Sequence, residues 1–267
     1  MVTQDEERKA AGEAVRAAAR ELDYDRYLTA LLAPNRARDG LMALAAFHGE
    51  IARIPLTVRE PGVGDIRLQW WRDALATPPR TATGNPVADA MLETMRAHRL
   101  PADMLMGIID GYERGLEAGT LTNATAIDAY AAATQGAAFS LAAQILGNVG
   151  SGASPLLRAA GQAYGRVQLL RALPLLLGLG RNPFGDGDVD TIVPSLLQQA
   201  RSELARARQL ATVAPATMLY AILPVALLEP YLAALERLGV HVAVERADIS
   251  ALTRAWRLLK ASALGRV

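Results

Sequence analysis

Closely spaced acidic side chains are the first places in this chain where chemistry could occur. Asp186, Asp188 and Asp190 alternate in a glycine-bearing loop, and alternating acids of this kind also begin calcium-binding loops. Such a loop needs a bidentate acid at its twelfth position, and here that position is Leu197. The pattern therefore favours a solvated turn over a calcium site.

Histidine and glycine patterns do not define a catalytic or metal site either. His48, His98 and His241 lie far apart in the chain, and none has a second histidine three or four residues further on. The glycine-rich segment Gly147–Gly152 lacks the lysine of a phosphate loop and follows a helical pattern, so it is predicted to be a helix stop. The chain contains no cysteine, which excludes disulfides, thiolate metal sites and cysteine nucleophiles.

Composition restricts the class of partner. The formal net charge is +1, and this argues against nucleic acid, because proteins that bind phosphate backbones usually carry a basic surplus. Hydrophobic residues make up 51% of the chain, which is ample for a large core. The first twenty residues are charged throughout and do not resemble a signal peptide, so we expect a cytoplasmic protein.

The elements that carry these residues are predicted to be helices throughout. Apolar positions recur at helical spacing almost everywhere, and alternation with a period of two is absent. Breaks at proline and glycine give about ten helices, the first over Gln4–Ala33 and the second over Arg36–Ile54, stopped by Pro55. Thr77–Pro86 is predicted to be an exposed loop. Because no linker is long enough to divide the chain, residues 1–267 are predicted to form a single all-α domain.

Two uncharged stretches, Ala129–Leu157 and Gln209–Leu228, are long enough to cross a membrane. The first is diluted by glycine and polar residues, and the second contains Pro215 and Pro224. A helix that is apolar all round is also what the centre of a large helical domain requires. The sequence favours buried core helices over membrane spans.

Two helical segments carry motifs of a known family. The first begins at Pro34 and reads P-N-R-A-R-D-G-L-M-A-L-A-A-F-H-G-E-I-A-R-I, and the second, Gly161–Ala172, reads G-Q-A-Y-G-R-V-Q-L-L-R-A. Both resemble the squalene/phytoene synthase family, in which an arginine shortly after a proline leads into an A-F-x-x-E helix and a later helix keeps a Leu-Leu-Arg core. Ile192–Pro194 and Ile222–Pro224 resemble later parts of the family, in the same order. The resemblance implies an isoprenoid synthase-like helical bundle.

The same resemblance implies where a metal would bind. Family members condense two isoprenoid diphosphates, held by magnesium ions on aspartates at positions i and i+4 of two facing helices, a spacing that stacks both carboxylates on one face. The matching positions here are apolar: Ala52 and Leu56 in the first helix, Ala172 and Leu176 in the second. Without these carboxylates, nothing would neutralise the pyrophosphate charge that develops on ionisation. We therefore expect no catalytic residue and no metal site.

Other features are similar to the non-catalytic branch of the family, which takes part in the assembly of respiratory complex I. Pro55 and Pro174 fall inside the two motif helices, where each is expected to end or kink its helix. The branch shows a Gln-x-Trp segment, a Thr-Gln pair and a Leu-Arg-Ala-x-Pro motif. The matches here are Gln69–Trp71, Thr134–Gln135 and Leu170–Pro174.

The candidate ligand residues are polar side chains on helices that would enclose the family's cavity. Glu50 and Arg171 are charges with apolar neighbours on facing helices, and they are expected either to pair with each other or to bind a ligand. Trp70 and Trp71 are candidates for a partner surface, although a simpler interpretation puts one of them in the core and one at the surface. The full set of cavity or ligand candidates is Arg38, His48, Glu50, Tyr130, Gln135, Gln168 and Arg171.

Three functions follow from the sequence. The leading one is a pseudoenzyme, an assembly or lipid-associated factor of the respiratory complex I type on a prenyl-synthase scaffold. The alternative is an active head-to-head isoprenoid diphosphate transferase with relocated metal ligands, which would need magnesium. A weaker third is a carrier that holds a quinone or another lipid. The expected partners are a respiratory-complex subunit or a membrane-surface lipid, with an isoprenoid or quinone ligand, and the inner membrane is a second location beside the cytoplasm.

Overall fold

The fold consists of helices joined by short connections. The computed structural model describes residues 4–76, 82–148 and 155–267, and these residues contain no strand. The α-helices are α1 (Gln4–Leu22), α2 (Tyr24–Leu32), α3 (Asn35–Thr57), α4 (Pro61–Ala76), α5 (Pro86–His98), α6 (Ala102–Glu113), α7 (Ala124–Ala131), α8 (Ala137–Ile145), α9 (Pro155–Gly178), α10 (Val189–Ala211), α11 (Ala216–Ile222), α12 (Leu228–Leu238) and α13 (Ala251–Leu264). A π-helical turn, Ala132–Gly136, joins α7 to α8, and 3-10 turns follow α6, α11 and α12. The predicted all-α bundle of about ten helices is confirmed.

Two predicted breaks fall partly outside the described residues. Of the loop predicted over Thr77–Pro86, residues 77–81 lie outside them, and Asn85 caps the start of α5 through its side-chain oxygen. Of the helix stop predicted over Gly147–Gly152, residues 149–152 lie outside the described residues. The helix ends where this prediction places its end, since α8 stops at Ile145 and Gly147 has a φ of 89°.

The prediction of a single first helix over Gln4–Ala33 is wrong, because the helix is interrupted at Asp23. This residue has a φ of −139° and a ψ of 70°, which no helix contains. Its carboxylate accepts a hydrogen bond from the backbone N–H of Arg26 at 3.2 Å and so caps α2. The break redirects the chain, and Asp25 and Arg26 become buried in the first turn of α2.

Termination at Pro55 and Pro174 does not occur, and the predicted end of the second helix is therefore wrong. α3 continues to Thr57 and α9 to Gly178. A proline removes only one backbone donor, so a helix can pass through it when the nearby carbonyl groups find other donors. The buried Arg181 stabilises the end of α3, since its guanidinium donates at 2.8 Å to the Pro55 carbonyl, one of the last-turn carbonyl groups.

α3 and α9 carry more buried residues than any other described helix. α3 packs against α1, α2, α5, α6 and α8, whereas α9 packs against α7, α10 and the π-helical turn. In the described part of the chain, one helical stretch, Ala216–Ala243, is long and apolar enough to span a membrane, with a mean hydropathy of 1.7. Since 72% of the most apolar 18-residue segment of this stretch is buried within the protein, the stretch has the character of a core helix.

Two glycines let α9 approach the end of α7 and the π-helical turn that follows it very closely. A Cβ atom on Gly161 would lie 2.6 Å from the Cα atom of Gly136, and one on Gly165 would lie 2.5 Å from the Cβ atom of Ala131. These distances are shorter than any van der Waals contact, so no other residue fits without displacing the backbone. The approach fixes the position of the turn, which carries Gln135.

Candidate functional site

A cavity of about 600 Å³ lies between α3 and α9. One part of its lining, which we call the apolar wall, consists of Ala52 and Leu56 from α3 with Ala172 and Leu176 from α9. Each pair is spaced by four residues, and this spacing places both side chains on the same face of their helix. The four positions that the family resemblance matches to metal ligands therefore meet at one cavity.

A second part of the lining is a closed ring of hydrogen bonds, which we call the polar ring. Arg26 donates to Asp23 at 2.9 Å and to the side-chain oxygen of Gln135 at 2.6 Å. The Gln135 amide donates to the Tyr112 hydroxyl at 2.8 Å, and that hydroxyl lies 3.0 Å from Nε2 of His48. Nδ1 of His48 lies 2.9 Å from Asp23, which closes the ring. All five residues line the cavity.

The ring also determines the protonation of His48. Since the Tyr112 hydroxyl accepts from Gln135, its proton is available to Nε2 of His48, and the proton of the imidazole is assigned to Nδ1, facing Asp23. Burial and the charge of Arg26 lower the pKa of His48, against the opposing effect of Asp23. The imidazole is therefore neutral and acts as a fixed hydrogen-bond link rather than as a proton carrier.

The charged members of the ring stabilise each other. Burial alone would raise the pKa of Asp23, but the Arg26 guanidinium and the hydrogen bond from His48 together hold it well below its usual range. Burial likewise opposes the charge of Arg26, and Asp23 outweighs this effect and raises the pKa of Arg26. The guanidinium also lies 5.2 Å from the centre of the Phe139 ring. A buried pair of this kind is stable only while both partners are present.

A second buried network surrounds Asp25. The Tyr231 hydroxyl donates to Asp25 at 2.8 Å, the Tyr164 hydroxyl donates to it at 3.1 Å, and Nε of Arg254 donates at 2.9 Å. Arg254 also bonds Asp248, which lies in the segment before α13. These contacts attach α13 to α2 across the cavity lining, and they leave the Asp25 carboxylate with donors on both oxygens.

Arg171 lies beside this network and not beside Glu50. Its guanidinium donates to Asp248 at 3.0 Å and to Gln168 at 2.9 Å, and it stacks 3.9 Å from the centre of the Tyr231 ring. The predicted pairing of Arg171 with Glu50 is therefore wrong. Burial, followed by the like charge of Arg171, lowers the pKa of the neighbouring Arg246, which also lines the cavity.

The structure brings five of the seven candidate ligand residues to the cavity and leaves two elsewhere. His48, Tyr130, Gln135, Gln168 and Arg171 line it. Arg38 is not part of the lining and donates to the backbone carbonyl of Ala33 at 3.3 Å. Glu50 follows His48 by two residues, which turns its side chain to another side of α3.

Glu50 instead lines a groove of about 840 Å³ that also contains Trp70 and Trp71, which we call the tryptophan groove. Trp71 is buried, with its ring 5.2 Å from that of Phe47, whereas Trp70 is 41% exposed. The arrangement agrees with the interpretation of one core and one surface tryptophan. Burial raises the pKa of Glu50, against the lowering effects of Arg53 and Arg67.

Several residues of the site were missed in the sequence. Asp23, Asp25 and Arg26 lie at the start of α2, and Arg254 reaches the cavity from the last helix. A usable signal was present in the run D-Y-D-R-Y from Asp23, since aspartate is a preferred N-cap and two acids beside an arginine are unusual between apolar helices. Among the described residues, no group of three or more histidine, aspartate or glutamate side chains could hold a metal ion.

Comparison with known proteins agrees with this geometry. A sequence model described as squalene/phytoene synthase matches residues 19–184, which include the polar ring and the apolar wall. The chain belongs to the squalene/phytoene synthase family. The resemblance seen in the motifs of α3 and α9 is thereby confirmed.

Relatives of this chain carry an assembly-factor name. The protein "NADH dehydrogenase (ubiquinone) complex I, assembly factor 6" from Bos taurus is 29% identical over 269 residues, covering 89% of this chain and 80% of that protein. The protein of the same name from Homo sapiens is 28% identical, covering 84% of this chain and 73% of that protein. The resemblance to this branch of the family is therefore also confirmed.

Solved structures of squalene/phytoene synthase type share the fold. Squalene synthase HpnC from Alicyclobacillus acidocaldarius superposes with a TM-score of 0.68 at 18% identity, covering 86% of this chain and 95% of that one. A dehydrosqualene synthase in complex with ligand superposes with a TM-score of 0.73 at 11% identity, covering 97% of each chain. At these identities the likeness concerns the fold alone.

Proposed function

We propose that this protein is a non-catalytic factor for the assembly of respiratory complex I, built on the scaffold of a prenyl synthase. The observation that carries the proposal is the apolar wall. Ala52, Leu56, Ala172 and Leu176 meet at the cavity, and none of them can bind magnesium. Relatives that match over most of their length are named for complex I assembly, which supports the same function.

The remaining acids of the cavity also support a non-catalytic function. Asp23 is paired with Arg26 and Asp25 with Arg254. Asp248 is paired with both Arg171 and Arg254, and Glu21 with Arg53. Magnesium requires several oxygen ligands in octahedral geometry, and an arginine in contact with a carboxylate occupies the oxygens and cancels the charge that would attract the ion. On this proposal, arginines hold the acids of the lining in place for structural reasons.

We assign the cavity itself to an amphiphilic ligand of isoprenoid or quinone type. The apolar wall would contact its hydrocarbon part, and the polar atoms of Tyr130, Gln168 and Arg171 would contact its head group. We assign the exposed Trp70 in the tryptophan groove to a contact with a partner subunit. Residues 1–267 are taken as one domain, an assignment supported by a buried core that extends from Val15 to Ala261.

The proposal is tested first by adding magnesium with farnesyl or geranylgeranyl diphosphate to the purified protein. A ligand that binds only the folded state stabilises it by about 2.7 kcal/mol at a hundredfold excess over its dissociation constant. We expect no change in melting temperature and no release of pyrophosphate. A clear magnesium-dependent shift, or any pyrophosphate, would reject the proposal in favour of a transferase with relocated ligands.

The second test is genetic. Deletion of the gene in its native cell should lower the amount of assembled complex I and leave squalene and carotenoid content unchanged, and the intact gene should restore assembly. We place the protein at the inner membrane, where this complex is built. Normal complex I with altered isoprenoid products would contradict the proposal.

A further inference from the structure

Helix α13 has an apolar face that points away from the core. Leu252, Trp256 and Leu259 are 80%, 65% and 53% exposed. Their spacing of four and then three residues places them on one side of the helix, which we call the outer face of α13. The opposite side carries the buried Leu258 and Ala261. A surface helix normally has charged residues where this one has leucine and tryptophan.

The flank of the outer face is positively charged. Arg257 and Lys260 are both exposed, and the sequence from Ala251 to Val267 contains no acidic residue. In the described part of the chain, the ion pairs of this helix all belong to Arg254, which faces the cavity. The outer face therefore combines exposed apolar side chains with positive charges that no neighbouring acid neutralises.

We propose that the outer face of α13 binds the surface of an anionic lipid bilayer, with the helix lying parallel to that surface. Leucine and tryptophan side chains enter the boundary between head groups and acyl chains, while arginine and lysine contact the lipid phosphates. A bilayer offers an apolar layer and a layer of negative charge along the whole helix. A protein partner would need an apolar groove bordered by acidic residues at the spacing of these side chains. A lipid surface meets both requirements without such a specific arrangement.

The position of α13 connects this surface to the cavity. Arg254, on the inner side of the helix, lines the cavity, whereas Trp256 lies on the outer side. A helix with its side chains is about 10 Å across, so a bilayer bound to the outer face would lie about that distance from the cavity lining. A lipid ligand would then have only a short path between the bilayer and the cavity.

The test is flotation of the purified protein with vesicles of phosphatidylcholine containing about 30% phosphatidylglycerol, a composition chosen to give a negative surface. The variant Trp256→Ser/Leu259→Ser should lower the partition coefficient by roughly tenfold or more, because it removes most of the inserted apolar area. The matched control is Ile66→Ser/Val213→Ser, which alters two apolar residues that are 72% and 84% exposed elsewhere. It should float like the wild type.

The charges are tested separately with Arg257→Gln/Lys260→Gln. Each basic residue near an anionic surface strengthens binding about fivefold, so this variant should bind the anionic vesicles roughly twenty-five-fold more weakly. Its binding to vesicles of phosphatidylcholine alone should match the wild type. On anionic vesicles, high salt should weaken the binding of the wild type much more than that of this variant. All changed residues are exposed, and a melting curve confirms that each variant is folded.

Three results would overturn the inference. The first is a wild-type protein that does not float with anionic vesicles, and the second is a Trp256→Ser/Leu259→Ser variant that floats equally well. The third is a wild-type dimer that this variant dissociates, which would identify the outer face as an interface between copies of the chain. The inference is independent of the assembly function: release of pyrophosphate together with vesicle binding would reject that function alone.

Discussion

The polar ring and the apolar wall line the same cavity, but they are held in place by different forces. The four side chains of the wall contact their neighbours through dispersion, which tolerates moderate changes of size. In the polar ring each side chain bonds the next, so loss of one member leaves two others with unpaired buried groups. The comparison shows that two parts of one cavity lining respond differently to substitution, because one is held by packing and the other by a closed set of hydrogen bonds.

The largest effect is expected from breaking the polar ring with Asp23→Ala. This change leaves the buried Arg26 without its carboxylate partner and should lower the free energy of unfolding by about 3–5 kcal/mol in urea titrations. The matched control is Asp188→Ala, because Asp188 also caps a helix through its side chain but is exposed. The control should cost about 1 kcal/mol, as loss of a cap does. Equal losses in the two variants would mean that the ring contributes nothing beyond the cap.

An intermediate effect is expected from placing a charge on the apolar wall. Ala52→Asp introduces a carboxylate at a half-buried position of the apolar wall, and we expect a loss of about 2 kcal/mol in the free energy of unfolding. The control Ala52→Asn has nearly the same shape without the charge and should lose less. Magnesium should not restore the loss. An unchanged melting temperature for Ala52→Asp would show that the position is open to solvent.

The smallest effect is expected from lowering the pH, which tests the polar ring through the protonation of His48. Because the pKa of His48 is lower in the folded protein than its ordinary value of about 6.5, its contribution to stability is complete above that pH and is lost as the pH falls below it. The lowered pKa of Asp23 has the same sign, and its contribution is lost only in stronger acid. Thermal melts should therefore show falling stability from pH 7 to 5, and His48→Asn should flatten this part of the curve. Parallel curves for the two proteins would contradict the assignment of a neutral His48.

The apolar wall could be predicted from the sequence because one rule determines it. Side chains four residues apart share a helix face, and the motifs of α3 and α9 identify which face meets the cavity. The same rule explains the error at Glu50. It follows His48 by two residues, about 200° around the helix, so the two side chains could not both face the cavity.

The polar ring could not be predicted in full because its members come from separate elements. Arg26 and Gln135 are 109 residues apart, and Tyr112 belongs to a third helix. Spacing within one helix carries no information about such contacts. His48 and Gln135 were identified as candidates, but their partners depend on how α2 turns after Asp23 and where the π-helical turn lies. Both are consequences of packing.

The close approach of α9 to the π-helical turn limits how this protein could be redesigned. Gly161 contacts the π-helical turn and Gly165 contacts the end of α7 just before it, and the turn presents Gln135 to Arg26 at 2.6 Å. An alanine at either glycine would move the turn and lengthen that hydrogen bond. A protein engineer who wishes to fit the chamber to a new guest molecule should therefore vary Ala52, Leu56 and their neighbours on the wall. Both glycines should stay unchanged, because any side chain there would push the two backbones apart.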